Sequence, residues 1–216
     1  MNTAAFKAYD IRGRVPSELN PQIAYLIGRA FAHYFKSKKV VVGHDIRLSS
    51  EELSDALIKG LIDAGSEVLD IGLCGTEMIY YATFHLHTDG GIMVTASHNP
   101  KEYNGMKFVK KDSVPVSGDS GLNAIKKLVE ENSFTSVHHE DSYYQSKCEK
   151  IDIYDEYARY MVSFVNPDNL KPLRIVTNAG NGVGGLMLRA ISKYLPFKFI
   201  SINDNPDGNF PNGVPN

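Results

Sequence analysis

The sequence contains little cysteine: Cys74 and Cys148 stand far apart and form no CxxC pair. That spacing excludes a disulfide framework, offers no zinc-ligand pattern and predicts a reducing compartment. Long apolar runs are missing as well. No stretch approaches the roughly 18 residues of a membrane-spanning helix, and MNTAAFKAYD lacks the apolar segment of a secretory signal. The expectation is a cytoplasmic protein with no membrane partner. Charge of one sign is not in excess either, since 23 Lys and Arg against 25 Asp and Glu give a formal net charge of −2. Without a basic surplus to neutralise phosphate backbones, nucleic acid is not an expected partner. Internal repeats and low-complexity tracts are also absent.

What is present is an ordinary globular balance, 43% hydrophobic and 22% charged over 216 residues. That length exceeds an average domain of about 150 residues and can bury a core without staples. Asn20-Pro21 before IAYLIGRAFAHYF predicts a capped helix, with Asn20 accepting from an orphan N–H and Pro21 in the first helical position. Ile23, Leu26, Ile27, Ala30, Phe31 and Tyr34 keep helical spacing. KVVVG (39–43) is a short β-branched run, the mark of a strand covered on both faces. Ser49 and Glu52 predict a capping box ahead of a helix that stops near Gly65. EVLDIG (67–72) predicts a strand, EMIYYATFHLH a helix and GIMVTAS (91–97) another buried strand. This alternation predicts an α/β fold with a mixed, mostly parallel sheet flanked by helices.

The polar, aperiodic stretch 131–150 reads as a linker. Beyond it, a helix at 151–165, a strand at 173–178, a helix at VGGLMLRAISKYL and a strand at FKFISIN make one β-α-β unit. One such unit is too little for a sheet with covered faces and edges. The expectation is one complete domain, 1–150, and the opening of a second similar domain, 151–216, within a longer natural polypeptide.

TASHNP (95–100) follows a buried strand directly, and in an open parallel sheet ligands meet the carboxyl ends of strands. The Ser97 hydroxyl can act as a nucleophile or carry a phosphoryl group if a base and cations converge on it. The bland alternative is a strand-end turn with a capping serine. His98 need not be its base, because adjacent side chains seldom activate one another. YDIRGRV (9–15) and GHDIRLSS (43–50) each place an arginine near a glycine at a chain turn or strand end. Arginine's planar fork suits phosphate, although an arginine of this kind taken alone is more often a surface ion pair than a phosphate clamp. The conjunction of Arg, Ser, His and Lys at neighbouring strand ends predicts one phosphate-binding cleft.

YDIRG, G-x-D-x-R-x-S at 43–49, TASHNP, YNGMK (103–107) and PDGNFP (206–211) together resemble, in order, the successive signatures of the α-D-phosphohexomutase family. Within it the segments are most similar to the bacterial enzymes that interconvert mannose 6-phosphate and mannose 1-phosphate. The resemblance implies that Ser97 is a phosphoserine that exchanges its phosphoryl group with a phosphosugar substrate. It implies His98 and Lys107 beside the reacting hydroxyl, with Lys107 and Arg12 as acid/base and electrostatic groups. Tyr9, Asp10, Arg47 and Asn104 are implied to line or brace the same cleft, with Tyr9, Arg47 and Asn104 as its substrate- or phosphate-binding residues. Mg²⁺ is the implied cofactor, held by a phosphoserine oxygen on Ser97 and an aspartate loop of DGDxDR type, and a hexose 1,6-bisphosphate is the implied activator and intermediate. That loop is not in the sequence, nor are the family's sugar-selecting GEMSGH-like loop and its RxSGT phosphate loop. The expectation is therefore that these 216 residues alone catalyse no turnover. Which hexose is preferred, and the oligomeric state, stay open.

Two rival readings come from other classes. Gly180, Gly182 and Gly185 fit G-x-G-x-x-G between a strand and a helix, with Asp204 about twenty residues on, as in a dinucleotide-binding unit. A non-catalytic phosphosugar- or partner-binding fragment is the other. Glucose and glucosamine phosphates are alternative substrates within the family. The remaining features read as structural: DNPDGN as a turn, since Pro206 breaks the cation-loop pattern; His33, His44, His85, His87, His138 and His139 as scattered; Tyr80, Tyr81, Tyr143 and Tyr144 as packing; and Lys36, Lys38 and Lys39 as a solvated helix end.

Overall fold

The computed structural model describes residues 2–135, 137 and 139–214. His138 lies outside the described residues. Strand β1 (Ile11–Arg14) leads to helix α1 (Pro21–Phe35), which begins as its cap predicts: Asn20 Oδ1 accepts the Ile23 amide at 3.0 Å. The helix closes on Lys36 in the left-handed region, φ 52°. Strand β2 (Lys39–His44), helix α2 (Ser50–Asp63), strand β3 (Glu67–Leu73), helix α3 (Thr76–His85) and strand β4 (Gly90–Val94) then alternate as the apolar runs predict.

The following strands are less legible. Tyr103–Lys110 is strand β5, paired antiparallel with both β4 and β1, and Val114–Pro115 forms a short β6 beside it. Helix α4 (Asn123–Glu131) follows. The stretch expected as a linker carries helix α5 (Asp141–Lys147) and strand β7 (Cys148–Lys150), which extends the sheet parallel to β3. A three-residue polar edge strand leaves no apolar alternation to read, because only one of its sides is paired.

The sheet runs β1-β5-β4-β2-β3-β7, with β5 alone reversed. Within β2, Val40 and Val42 face one core with α1, α2 and α4, while Val41 faces the other with α3. That alternation is why the run is continuously apolar. The chain leaves β2 toward β3 on one side and later returns to β4 on the other. The topological switch point thus lies between the carboxyl ends of β2 and β4, where open α/β sheets bind ligands.

Helix α6 (Tyr154–Val162) sits at the join, with Ile153 and Tyr157 buried in the α3-side core of the first sheet. Strand β8 (Arg174–Asn178), helix α7 (Gly184–Ile191) and strand β9 (Lys198–Ile202) form a two-stranded parallel sheet, separate from the first. Val176 and Ile202 stay exposed on it. The capping box expected at Ser49 and Glu52 does not form: Ser49 Oγ instead accepts Asn104 Nδ2 at 2.9 Å, a tertiary partner displacing the local one.

Candidate active site

The strand expected through Ser97 ends at Val94, and Thr95–Ser97 turn away from the sheet. Ser97 takes a left-handed backbone, φ 54°, unusual for a residue with a side chain and costing on the order of 1 kcal/mol. Its hydroxyl is exposed and lies 3.3 Å from His98 Nδ1. The turn is fixed from beneath. The Ser97 amide donates to Thr95 Oγ1 at 2.9 Å, and Thr95 Oγ1 donates to Asp45 Oδ2 at 2.7 Å. Asp45 therefore joins the end of β2 to the end of β4 across the switch point.

Arg47 completes the joint. Its Nε donates to Asp45 Oδ2 at 3.2 Å, Nη1 to the carbonyls of Pro100 and Tyr103 at 2.8 and 2.9 Å, and Nη2 to those of Ser97 and Asn99 at 2.8 and 2.7 Å. These bonds use all five N–H groups of the guanidinium. Arg47 is 3% exposed, and burial pulls its pKa below the usual range while Asp45 opposes the shift. In this structure all five donors are engaged within the protein, and Arg47 braces the serine loop. Asn104 is engaged in the same way. It is fully buried, its Nδ2 donates to Ser49 and Ser50 Oγ at 2.9 Å each, and its Oδ1 accepts the Gly105 amide.

A cavity of ≈ 500 Å³ opens over this loop. Asp45, Thr95, Ser97 and His98 line it from the first sheet, and Gly182, Val183 and Phe210 line it from the second unit. Arg12 and Lys107 do not line it but lie on the adjoining surface. By register Arg12 is opposite Gly105 and Lys107 opposite Met93, so both share the sheet face that carries Met93, itself part of the lining. Arg12 is paired with Asp10 at 2.7 Å. Tyr9 stands apart, 79% exposed and outside the lining, so the structure does not bring it to the serine.

Asp45, Thr95 and Phe210 are the residues that motif reading does not assign. The first two carry a local signal: each places a side-chain oxygen to accept an amide two residues on, the Asx- and ST-turn pattern. Phe210 lies within the PDGNFP segment, which by itself assigns the ring no role.

Comparisons with known proteins identify the family. Residues 3–136 match the family model described as phosphoglucomutase/phosphomannomutase, alpha/beta/alpha domain I, and residues 155–216 match that of domain II. The chain belongs to the phosphoglucomutase/phosphomannomutase family. It is 50% identical over 216 residues to a phosphomannomutase of Escherichia coli strain K12, covering 98% of this chain and 47% of the relative. A phosphomannomutase of Salmonella typhimurium is 52% identical over 218 residues, with 98% and 47% covered. Proteins of Xanthomonas campestris named phosphohexose mutases are 48% identical, with 100% and 47% covered. The chain thus spans about half the length of the curated relatives it matches. Among solved structures, a family protein from Burkholderia thailandensis superposes with a TM-score of 0.86 at 33% identity, covering 99% of this chain and 47% of that one.

The described residues do not make a metal site by themselves, with no group of three or more His, Cys, Asp or Glu placed to hold an ion. Asp45, the cavity's carboxylate, already accepts from Arg47, Ser50 and Thr95. Mg²⁺, which prefers several hard oxygens in octahedral geometry, would find little more than the Ser97 oxygen. The glycine-rich turn at 180–185 leads into helix α7. A Cβ on Gly185 would collide with the Asp204 backbone, and the Asp204 carboxylate is paired with Arg189 at 3.0 Å. A dinucleotide site would need that carboxylate for a ribose. No helix among the described residues is long and apolar enough to cross a membrane.

Proposed function

We propose that this protein is a phosphohexose mutase that interconverts mannose 6-phosphate and mannose 1-phosphate, with Ser97 carrying the phosphoryl group. The observation that carries the reading is the Ser97 turn: a hydroxyl presented at the switch point, exposed to a cavity, and clamped through its own backbone by Thr95 and Arg47. Clamping the backbone while leaving the hydroxyl free is what a nucleophile needs, since positioning supplies much of the rate in phosphoryl transfer.

In the first transfer the P–O bond to Ser97 breaks and the phosphorus bonds a free hydroxyl oxygen of the sugar phosphate, giving a hexose 1,6-bisphosphate. One proton passes, on balance, from that hydroxyl to Ser97 Oγ. His98, with Nδ1 3.3 Å from Oγ, is placed to hold it. The second transfer returns the other phosphoryl group to Ser97 and reverses the proton. Lys107 and Arg12 supply positive charge toward the transferring group from the shared sheet face. A phosphoserine oxygen on Ser97 would be one ligand of Mg²⁺, which would take its other ligands from outside these residues and help neutralise charge on the transferring group. Mannose is favoured because the similar bacterial proteins named above are called phosphomannomutases. Domain I is proposed to end near residue 150, with 151–216 opening domain II. On this reading the chain works in the cytoplasm, and these 216 residues accept phosphate but do not turn substrate over.

The test is a mutase assay on a polypeptide of the relatives' length, with Mg²⁺ and a trace of bisphosphate, comparing mannose, glucose and glucosamine phosphates. Turnover fastest on mannose phosphates and abolished by Ser97→Ala supports the proposal. Undiminished turnover in that variant, or preference for another sugar, would contradict it.

A further inference from the structure

We propose that Phe210 is a positioning residue for Ser97, acting through Arg47. The edge of the Arg47 guanidinium is filled by its five hydrogen bonds. Only the two faces of that plane remain open to another group. The Phe210 ring takes one of them, with the guanidinium carbon 5.7 Å from its centroid, inside the range of a cation–π contact. The second unit therefore touches the one side chain that holds four carbonyls of the serine loop, and does so without taking any of its donors. An aromatic cover also keeps water from competing for those bonds, which strengthens them.

The backbone is built to deliver this ring. Phe210 has φ 49°, costly for a bulky side chain, yet it is only 8% exposed. The turn before it is held by the second unit: the Asp207 amide donates to the Asn181 carbonyl at 2.8 Å, Asn181 Nδ2 donates to the Asn205 carbonyl at 3.0 Å, and Asn212 Nδ2 donates to Asn181 Oδ1 at 2.9 Å. At Gly208 the same turn lies so close to the Ile46 carbonyl that a Cβ would collide with it. The contact thus links the glycine-rich turn of the second unit to the Ser97 turn of the first. Its catalytic consequence rests on the reading of Ser97 as the phosphoryl carrier.

Hydrogen exchange by mass spectrometry on this chain tests the inference, comparing wild type, Phe210→Leu, Phe210→Tyr and Gly208→Ala. Leucine keeps apolar bulk but has no π face, whereas tyrosine keeps the ring. Exchange over residues 96–104 is expected to rise about fivefold in the leucine variant, with β2 and β4 unchanged. It should stay near wild type with tyrosine and rise again with Gly208→Ala, which pushes the turn off Ile46. A leucine variant that exchanges like wild type, a tyrosine variant as loose as leucine, or loosening spread evenly through the sheet would each overturn the proposal. Phosphopeptide analysis of the same samples after glucose 1,6-bisphosphate treatment separates the two readings. No phosphate on wild-type Ser97, here and in a polypeptide of the relatives' length, removes the phosphoserine reading, while the exchange pattern still decides the role of Phe210.

Discussion

Thr95 fixes Ser97 from two residues upstream: one hydroxyl accepts the Ser97 amide at 2.9 Å and donates to Asp45 at 2.7 Å. Replacing it by the near-isosteric valine leaves an amide and a carboxylate oxygen short of a partner. Thr95→Val is expected to lower stability by about 1–3 kcal/mol, read as a fall in Tm of roughly 3–10 °C. Phosphoryl acceptance at Ser97 should slow as well. An unchanged melting curve together with an unchanged labelling rate would contradict the role given to this hydroxyl.

Arg47 carries more. Arg47→Met removes the donors to four carbonyls and leaves Asp45 without its charged partner. The expected loss is about 3–5 kcal/mol, measured by urea unfolding. Arg47→Lys should recover only part of it, because a lysine has three donors on a single point charge and cannot span the loop. Full recovery by lysine would show that charge, not the fork, is what matters.

Lys107 makes the opposite prediction. It is half-buried on the β5 face beside Met93. Lys107→Met should leave the free energy of urea unfolding within about 0.5 kcal/mol of wild type and slow phosphoryl transfer by about 10²-fold. Loss of stability without loss of transfer would assign Lys107 to the fold.

The two cysteines set the alkaline behaviour. Burial pushes the Cys148 thiol up from 9.0 to about 11 and pushes the buried Cys74 thiol higher still, with nearby carboxylates adding to both. The folded state then holds protons that the unfolded chain releases, so stability is full below about pH 8.5 and falls as pH rises from there toward 11. Alkylation at pH 8 should be slow at both thiols in the native protein and fast after unfolding. Rapid labelling of Cys74 in the native state at that pH would contradict its burial.

Much of the site is legible in the chain order. KVVVG and GIMV read as buried strands because both their faces are covered, and the residues after them read as ligand-facing because strands in such sheets end at the site. Tyr103–Lys110 is not legible as a strand, since Asn104, Gly105 and Lys107 interrupt its apolar pattern for reasons that lie on other elements. Arg47 and Asn104 look like phosphate ligands by residue type. In the structure the carbonyls that Arg47 holds and the hydroxyls that Asn104 holds lie about fifty residues away, and no local spacing announces them. Phe210 is further still, carried on a turn whose shape depends on Asn181.

The central claim is that Ser97 accepts a phosphoryl group. The most direct measurement is intact-mass and phosphopeptide analysis of this chain, wild type and Ser97→Ala, after incubation with Mg²⁺ and mannose or glucose 1,6-bisphosphate. The account predicts one added phosphate, mapped to Ser97 and missing from the alanine variant. A phosphate on another residue, or none on Ser97 in either this chain or a polypeptide of the relatives' length, would contradict it.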